Sequence, residues 1–125
     1  MQGFSSLSGA QYMSLKTFRK SGVAVTTPVW FAETGGKLYF LTANDAGKVK
    51  RIRNNQQVTV APCTASGKVL GGTVSGTARL LTESEFASAD RLLCAKYGLQ
   101  KRLLDLYVAI RGKRKATIFL EITPV

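Results

Sequence analysis

A chain of 125 residues, 45% of them hydrophobic and only three of them proline, is long enough for one ordered domain with a modest core. Eighteen Lys and Arg against seven Asp and Glu leave a formal net charge of +11. An excess of that size implies an anionic partner: nucleic acid, a phosphorylated or polycarboxylate cofactor, or an anionic surface.

There is no histidine, which removes Ser-His and Cys-His nucleophilic machinery, the usual zinc sites and a His-ligated haem. Cys63 and Cys94 are the only cysteines, too few and too far apart for a zinc site, so no metal is expected. No run of about 18 apolar residues occurs, and the first residues, MQGFSSLSGAQYM, lack the basic start and apolar block of a signal peptide. The expectation is a cytoplasmic protein with reduced thiols and no membrane partner.

Taken in order, residues 1–11 read as a loose, Ser- and Gly-rich lead-in, and residues 12–125 as a single domain. YMSLKTF, Tyr12 to Phe18, alternates as a strand, and Lys20-Ser21-Gly22 turns the chain into a second run, VAVTTPVWFAE. Pro28 cannot donate to a ladder, so that run should lie at an edge, carry a bulge or simply bend there. Gly35-Gly36 is a hairpin turn, and KLYFLT is the third strand, completing an antiparallel meander.

Next comes the most charged stretch, LTANDAGKVKRIR from Leu41 to Arg53. Asp45 is a good helix N-cap, and a helix over 46–54 would turn Val49 and Ile52 inward. Lys48 and Arg51 would then share another face, with Lys50 beside the first turn. Free amides, cations and the Thr42 hydroxyl could clamp a phosphate; the alternative is a solvated basic helix.

QVTVAPC and TVSGTARLL read as the fourth and fifth strands. Thr82 followed by Glu85 is a capping box, and Phe86, Ala89, Leu93 and Tyr97 fall on one helical face before Gly98 stops it. A second helix over 100–110 shows Leu103, Leu106, Tyr107 and Ile110 on its inner side. The basic cluster Arg111, Lys113, Arg114, Lys115 and the strand ATIFLEI end the chain. Six short strands, mainly β with one short helix between strands 3 and 4 and a helical pair before the last strand, suggest a small antiparallel barrel.

TTPVWF from Thr26, LYFLTA from Leu38, GKVKRIRNN and VTVAPC resemble, in order and spacing, the pyridoxamine 5'-phosphate oxidase-like (PPOX-class) flavin and deazaflavin oxidoreductases, in particular their coenzyme F-420-dependent branch. The resemblance covers the chain from about Tyr12 to its end. It implies a six-stranded split β-barrel of the FMN-binding kind, and a homodimer whose cofactor, coenzyme F-420 or FMN, lies at the subunit interface. It implies that the strand through Thr26, Thr27, Pro28, Val29 and Trp30 follows the cofactor ring and ribityl chain, largely through backbone atoms. Thr42 and Lys48 would approach the phosphate, with Lys50 and Arg51 adding charge. The true oxidases carry Ser-Arg-Lys where this chain has Ala46-Gly47-Lys48, and histidine near the C-terminus, so oxidation of pyridoxamine phosphate itself is not expected.

The resulting expectation is an enzyme transferring a hydride between bound cofactor and an unknown small molecule, with no catalytic side chain assigned and Tyr39, Tyr97 and Tyr107 left without a role. The charge leans toward the more acidic deazaflavin. Two alternatives remain: a non-enzymatic cofactor carrier, and a basic small-barrel nucleic-acid binder using Tyr39, Phe40 and Trp30 as stacking platforms. The latter is disfavoured, because those aromatics sit in alternating strand runs where core packing is commoner.

Overall fold

A computed structural model describes residues 7, 9–43, 46–103, 106 and 117–124. Its strands are β1 (Tyr12–Phe18), β2 (Ala24–Val29), β3 (Ala32–Thr34), β4 (Lys37–Ala43), β5 (Gln57–Cys63), β6 (Val74–Leu80) and β7 (Thr117–Pro124). Helix α1 (Gly47–Asn54) lies between β4 and β5, and α2 (Glu83–Tyr97) between β6 and β7. All strands join one antiparallel sheet in the order β2-β1-β5-β6-β7-β4-β3.

The order forces closure. β2 and β3 are consecutive in the chain yet form opposite edges of a seven-stranded sheet. Laid flat, their edges would be about 29 Å apart at about 4.8 Å per strand gap. Three Cα steps from Val29 to Ala32 reach no more than about 11 Å. The sheet therefore curls into a half-barrel, as expected for a split barrel.

Two details of the expected topology are corrected here. The run from Val23 to Glu33 is two strands, giving seven instead of six, and the first strands are two hairpins, not a meander. The break is not at Pro28, which pairs with Ser14 in unbroken register on an edge strand. It falls at Trp30-Phe31, where the chain leaves one edge to reach the other. Gly35 and Gly36 make the β3–β4 turn with φ of 59° and 77°, a left-handed pair that glycine adopts without strain.

Alternation sets the two faces. Met13, Leu15, Leu38, Phe40, Val58, Val60, Ala78, Leu120 and Ile122 point into the barrel, joined by Phe31, by Ile52 from α1 and by Leu7. Leu7 is fully buried. On the outer face, α2 lays Ala89, Leu93 and Tyr97 against Ala32, Leu81 and Phe119. Thr82 caps α2 as its sequence indicated, donating its N–H to the Glu85 carboxylate at 2.9 Å.

Helix α1 buries Val49 and Ile52 completely, as their spacing requires. Its N-cap position is Ala46, which offers no side-chain cap; Asp45 lies outside the described residues. After Gly98 the chain is helical again at 99–103 and 106, but Leu103 and Leu106 are exposed, not inward. The inner position belongs to Lys101, only 1% exposed and ion-paired with Asp90 at 2.6 Å. Tyr107, Ile110 and the basic cluster at 111–115 lie outside the described residues. Both cysteines are free thiols, Cys63 buried and Cys94 half-buried.

Candidate functional site

The site is organised by Arg51. Its Nε donates to Thr17 Oγ1 at 2.6 Å, and that hydroxyl, nearly inaccessible on β1, donates in turn to the Val25 carbonyl of β2 at 3.5 Å. Helix α1, β1 and β2 thus meet at Thr17, beside the edge-strand segment that begins at Thr26. Sequence reasoning missed Thr17: a lone threonine in an alternating strand carries no signal of a partner 34 residues away.

The rest of the guanidinium folds back toward the start of α1. A Cβ on Gly47 would sit 2.8 Å from Arg51 Nη1 and push the mobile guanidinium aside, so glycine is what leaves that space to the arginine. A guanidinium therefore rests at the positive end of the helix, where first-turn amides have no intrahelical acceptor. Half-buried Lys48 lies close enough that burial first, and then the Arg51 charge, lower its pKa. No acidic residue stands in the first turn, and among the described residues neither Lys48 nor Arg51 makes an ion pair. Positive potential is concentrated here, and among the described residues no carboxylate compensates it, which suits a phosphate.

The other anticipated residues divide. Thr26 and Pro28 are exposed on one face of β2, while Thr27 and Val29 turn inward, Val29 packing on the barrel interior. Thr42 stands in β4 opposite Ile118, half-buried. Lys50 is exposed on the flank of α1 away from Lys48 and Arg51, its carbonyl accepting from Asn54 Nδ2. The Trp30 ring belongs elsewhere: it stacks on Tyr97 with centroids 4.4 Å apart and planes 10° from parallel. The outer edge of β2 pairs with no strand among the described residues, which leaves its backbone open to a ligand.

Two tyrosines gain roles the sequence did not reveal. The Tyr97 hydroxyl accepts from Phe31 N–H at 2.9 Å and lies 2.9 Å from the Phe31 carbonyl and 2.8 Å from that of Gln11. It satisfies the backbone where the chain leaves the ladder between β2 and β3; burial pushes its pKa up to about 12. Tyr39 donates to buried Glu121 at 2.9 Å, and burial followed by that carboxylate raises its pKa.

Glu121 is also held by Arg79, whose guanidinium grips Glu85 through two bonds at 3.0 and 3.1 Å. That grip, reinforced by the Thr82 backbone, holds Glu85 down to about 2 from an ordinary 4.5. A carboxylate depressed on folding contributes stability above its unfolded pKa that disappears as pH falls toward its folded value. The Glu85→Gln variant is therefore expected to lose less melting temperature than the parent chain between about pH 4.5 and about pH 2.5. Thermal melts across that window check this; parallel slopes would refute it.

Residues 4–124 match the family model described as pyridoxamine 5'-phosphate oxidase. No curated protein matches the chain. Among solved structures, an F-420 reductase is 18% identical with a TM-score of 0.65, the match covering 100% of this chain and 94% of that one. An FAD-binding protein from Mesorhizobium loti is 16% identical, TM-score 0.67, covering 96% and 85%. HutZ, the haem storage protein from Vibrio cholerae, is 13% identical, TM-score 0.71, covering 94% and 83%. At such identities these likenesses are ones of fold, but the family model spans nearly every residue, and the chain belongs to the pyridoxamine 5'-phosphate oxidase family.

Proposed function

We propose that the protein is a flavin- or deazaflavin-dependent oxidoreductase, working as a homodimer with the cofactor at the subunit interface. The observation that carries this reading is the uncompensated cluster of Arg51, Lys48 and the first turn of α1, joined through Thr17 to the open edge of β2. The family and the F-420 reductase neighbour support it.

Lys48, Arg51 and the α1 amides would hold the cofactor phosphate, with Thr42 nearby and Lys50 adding charge from the far flank. Thr26, Thr27, Pro28, Val29 and Trp30 would follow ring and ribityl chain with their backbone. Ser-Arg-Lys, expected in the true oxidases, is replaced by Ala46-Gly47-Lys48, and the Arg51 guanidinium fills the space over Gly47. When bound, the cofactor supplies two-electron hydride chemistry; this chain contributes binding, orientation and electrostatics. The net charge of +11 favours coenzyme F-420, with its acidic tail, over FMN.

The three aromatics that would serve a nucleic acid as stacking platforms are engaged elsewhere. Phe40 is fully buried inside the barrel, Trp30 is stacked on Tyr97 outside it, and Tyr39 is tied to Glu121. The test is to titrate purified protein with FMN and coenzyme F-420 at low and physiological salt, with light scattering in parallel. Coenzyme F-420 is expected to bind more tightly at both and to weaken more steeply as the Debye length shortens to about 8 Å, with a dimer in solution. Tighter FMN binding at both salts overturns the cofactor choice, absence of binding for either overturns the function, and a monomer at micromolar concentration overturns the dimer.

A further inference from the structure

A groove of about 600 Å³ runs between α2 and the outer face of β4 and β7. That volume suits one small organic molecule. Leu81, Ala89 and Leu92 give it an apolar wall, and the Tyr39–Glu121 pair lies across its polar side. It is separate from the anion cluster: Tyr39 and Glu121 point outward, whereas Thr17 shares the face of barrel-lining Met13 and Leu15.

The charges around the groove decide what it takes. Glu121 is met by Arg79 at 3.2 Å and Lys37 at 3.8 Å, and Glu85 by Arg79 at 3.0 Å. Two carboxylates are thereby matched by two cations. Exposed Arg91 also lines the groove and, among the described residues, has no ion pair or hydrogen bond. Neighbouring Asp90 offers it nothing, being held by Lys101. The surplus charge is one guanidinium beside an apolar wall.

A smaller cavity of about 390 Å³ shares Leu92 and Ala95 with this groove and contains Lys96. The Lys96 ammonium, however, is already seated 3.5 Å over the Phe31 ring. We infer that the larger groove is a second ligand site, for a small molecule with one carboxylate or sulfonate and a flat apolar body. Arg91 would bind the anion, the Leu81–Ala89–Leu92 wall the body, and the Tyr39–Glu121 pair a polar edge. The site stands on its own residues and does not depend on the cofactor reading.

The test uses the full chain and 2-naphthoate as probe, by calorimetry at physiological salt, with neutral 2-naphthamide for comparison. Saturable one-to-one binding is expected, about fivefold weaker for Arg91→Gln and for the amide, since the lost contact is a partly screened charge-assisted bond. Ser88→Phe, at an exposed groove position on α2, should fill the space and abolish binding. Lys96→Gln should bind as the parent does. No saturable binding by the parent chain, equal affinity in Arg91→Gln, undiminished binding in Ser88→Phe, or loss confined to Lys96→Gln would each overturn the assignment.

Discussion

Replacing Tyr97 with phenylalanine is expected to lower the free energy of unfolding by about 2–3 kcal/mol, and the melting temperature by roughly 10 °C. The ring, 5% exposed, would still fill its place against Trp30. What disappears is one oxygen placed among the Phe31 N–H, the Phe31 carbonyl and the Gln11 carbonyl. A buried N–H left without an acceptor costs about 1–3 kcal/mol, and the carbonyls lose a shared donor as well. Since Phe31 lies on the only link between β2 and β3, the loss falls where the barrel closes. Urea and thermal unfolding of both proteins measure it. A change below about 0.5 kcal/mol, the usual range for a surface substitution, would mean the crossing is held by packing alone.

The second large effect concerns binding. Lys48→Ala is expected to weaken phosphate-bearing cofactor by about 10- to 150-fold, the equivalent of a charge-assisted hydrogen bond worth about 1.5–3 kcal/mol. Arg51→Lys should lose most of that amount despite keeping its charge, because the bond from Nε to Thr17 that aims the guanidinium would be gone. Gly47→Ala is the more discriminating variant. Its methyl group would displace Nη1 from over the first turn, so affinity should fall several-fold while the melting temperature is kept or rises. Lys50→Ala, on the far flank, should cost less than about threefold, and only at low salt. Fluorescence titrations of the four variants decide the matter. Equal losses for Lys48→Ala and Lys50→Ala would reduce α1 to a generally basic surface.

Much of this architecture was legible in the chain itself. Strands β1, β4, β5, β6 and β7 and both numbered helices follow from alternation, from Val49 and Ile52 three apart, and from the Thr82–Glu85 cap. Those signals are local, set by neighbours within a turn of helix or a hairpin. The basic segment, the missing histidine and the family resemblance likewise need no coordinates. The outcome at Leu103 and Leu106 shows where the reasoning ends: helical spacing finds an apolar face but cannot say that Lys101, paired with Asp90, will take the inner position.

By itself, then, the sequence determined the element types, the barrel class and the charge available to an anion. Only the tertiary structure decided that the second run breaks at Trp30-Phe31 and not at Pro28, because the hydroxyl that makes the break tolerable comes from Tyr97, 66 residues away. It alone decided that Trp30 serves the α2 core, that Thr17 aims Arg51, and that the guanidinium lies over Gly47. Each of these depends on which side chains meet after the sheet has curled. Such pairings are fixed by closure over long separations, and no local periodicity records them.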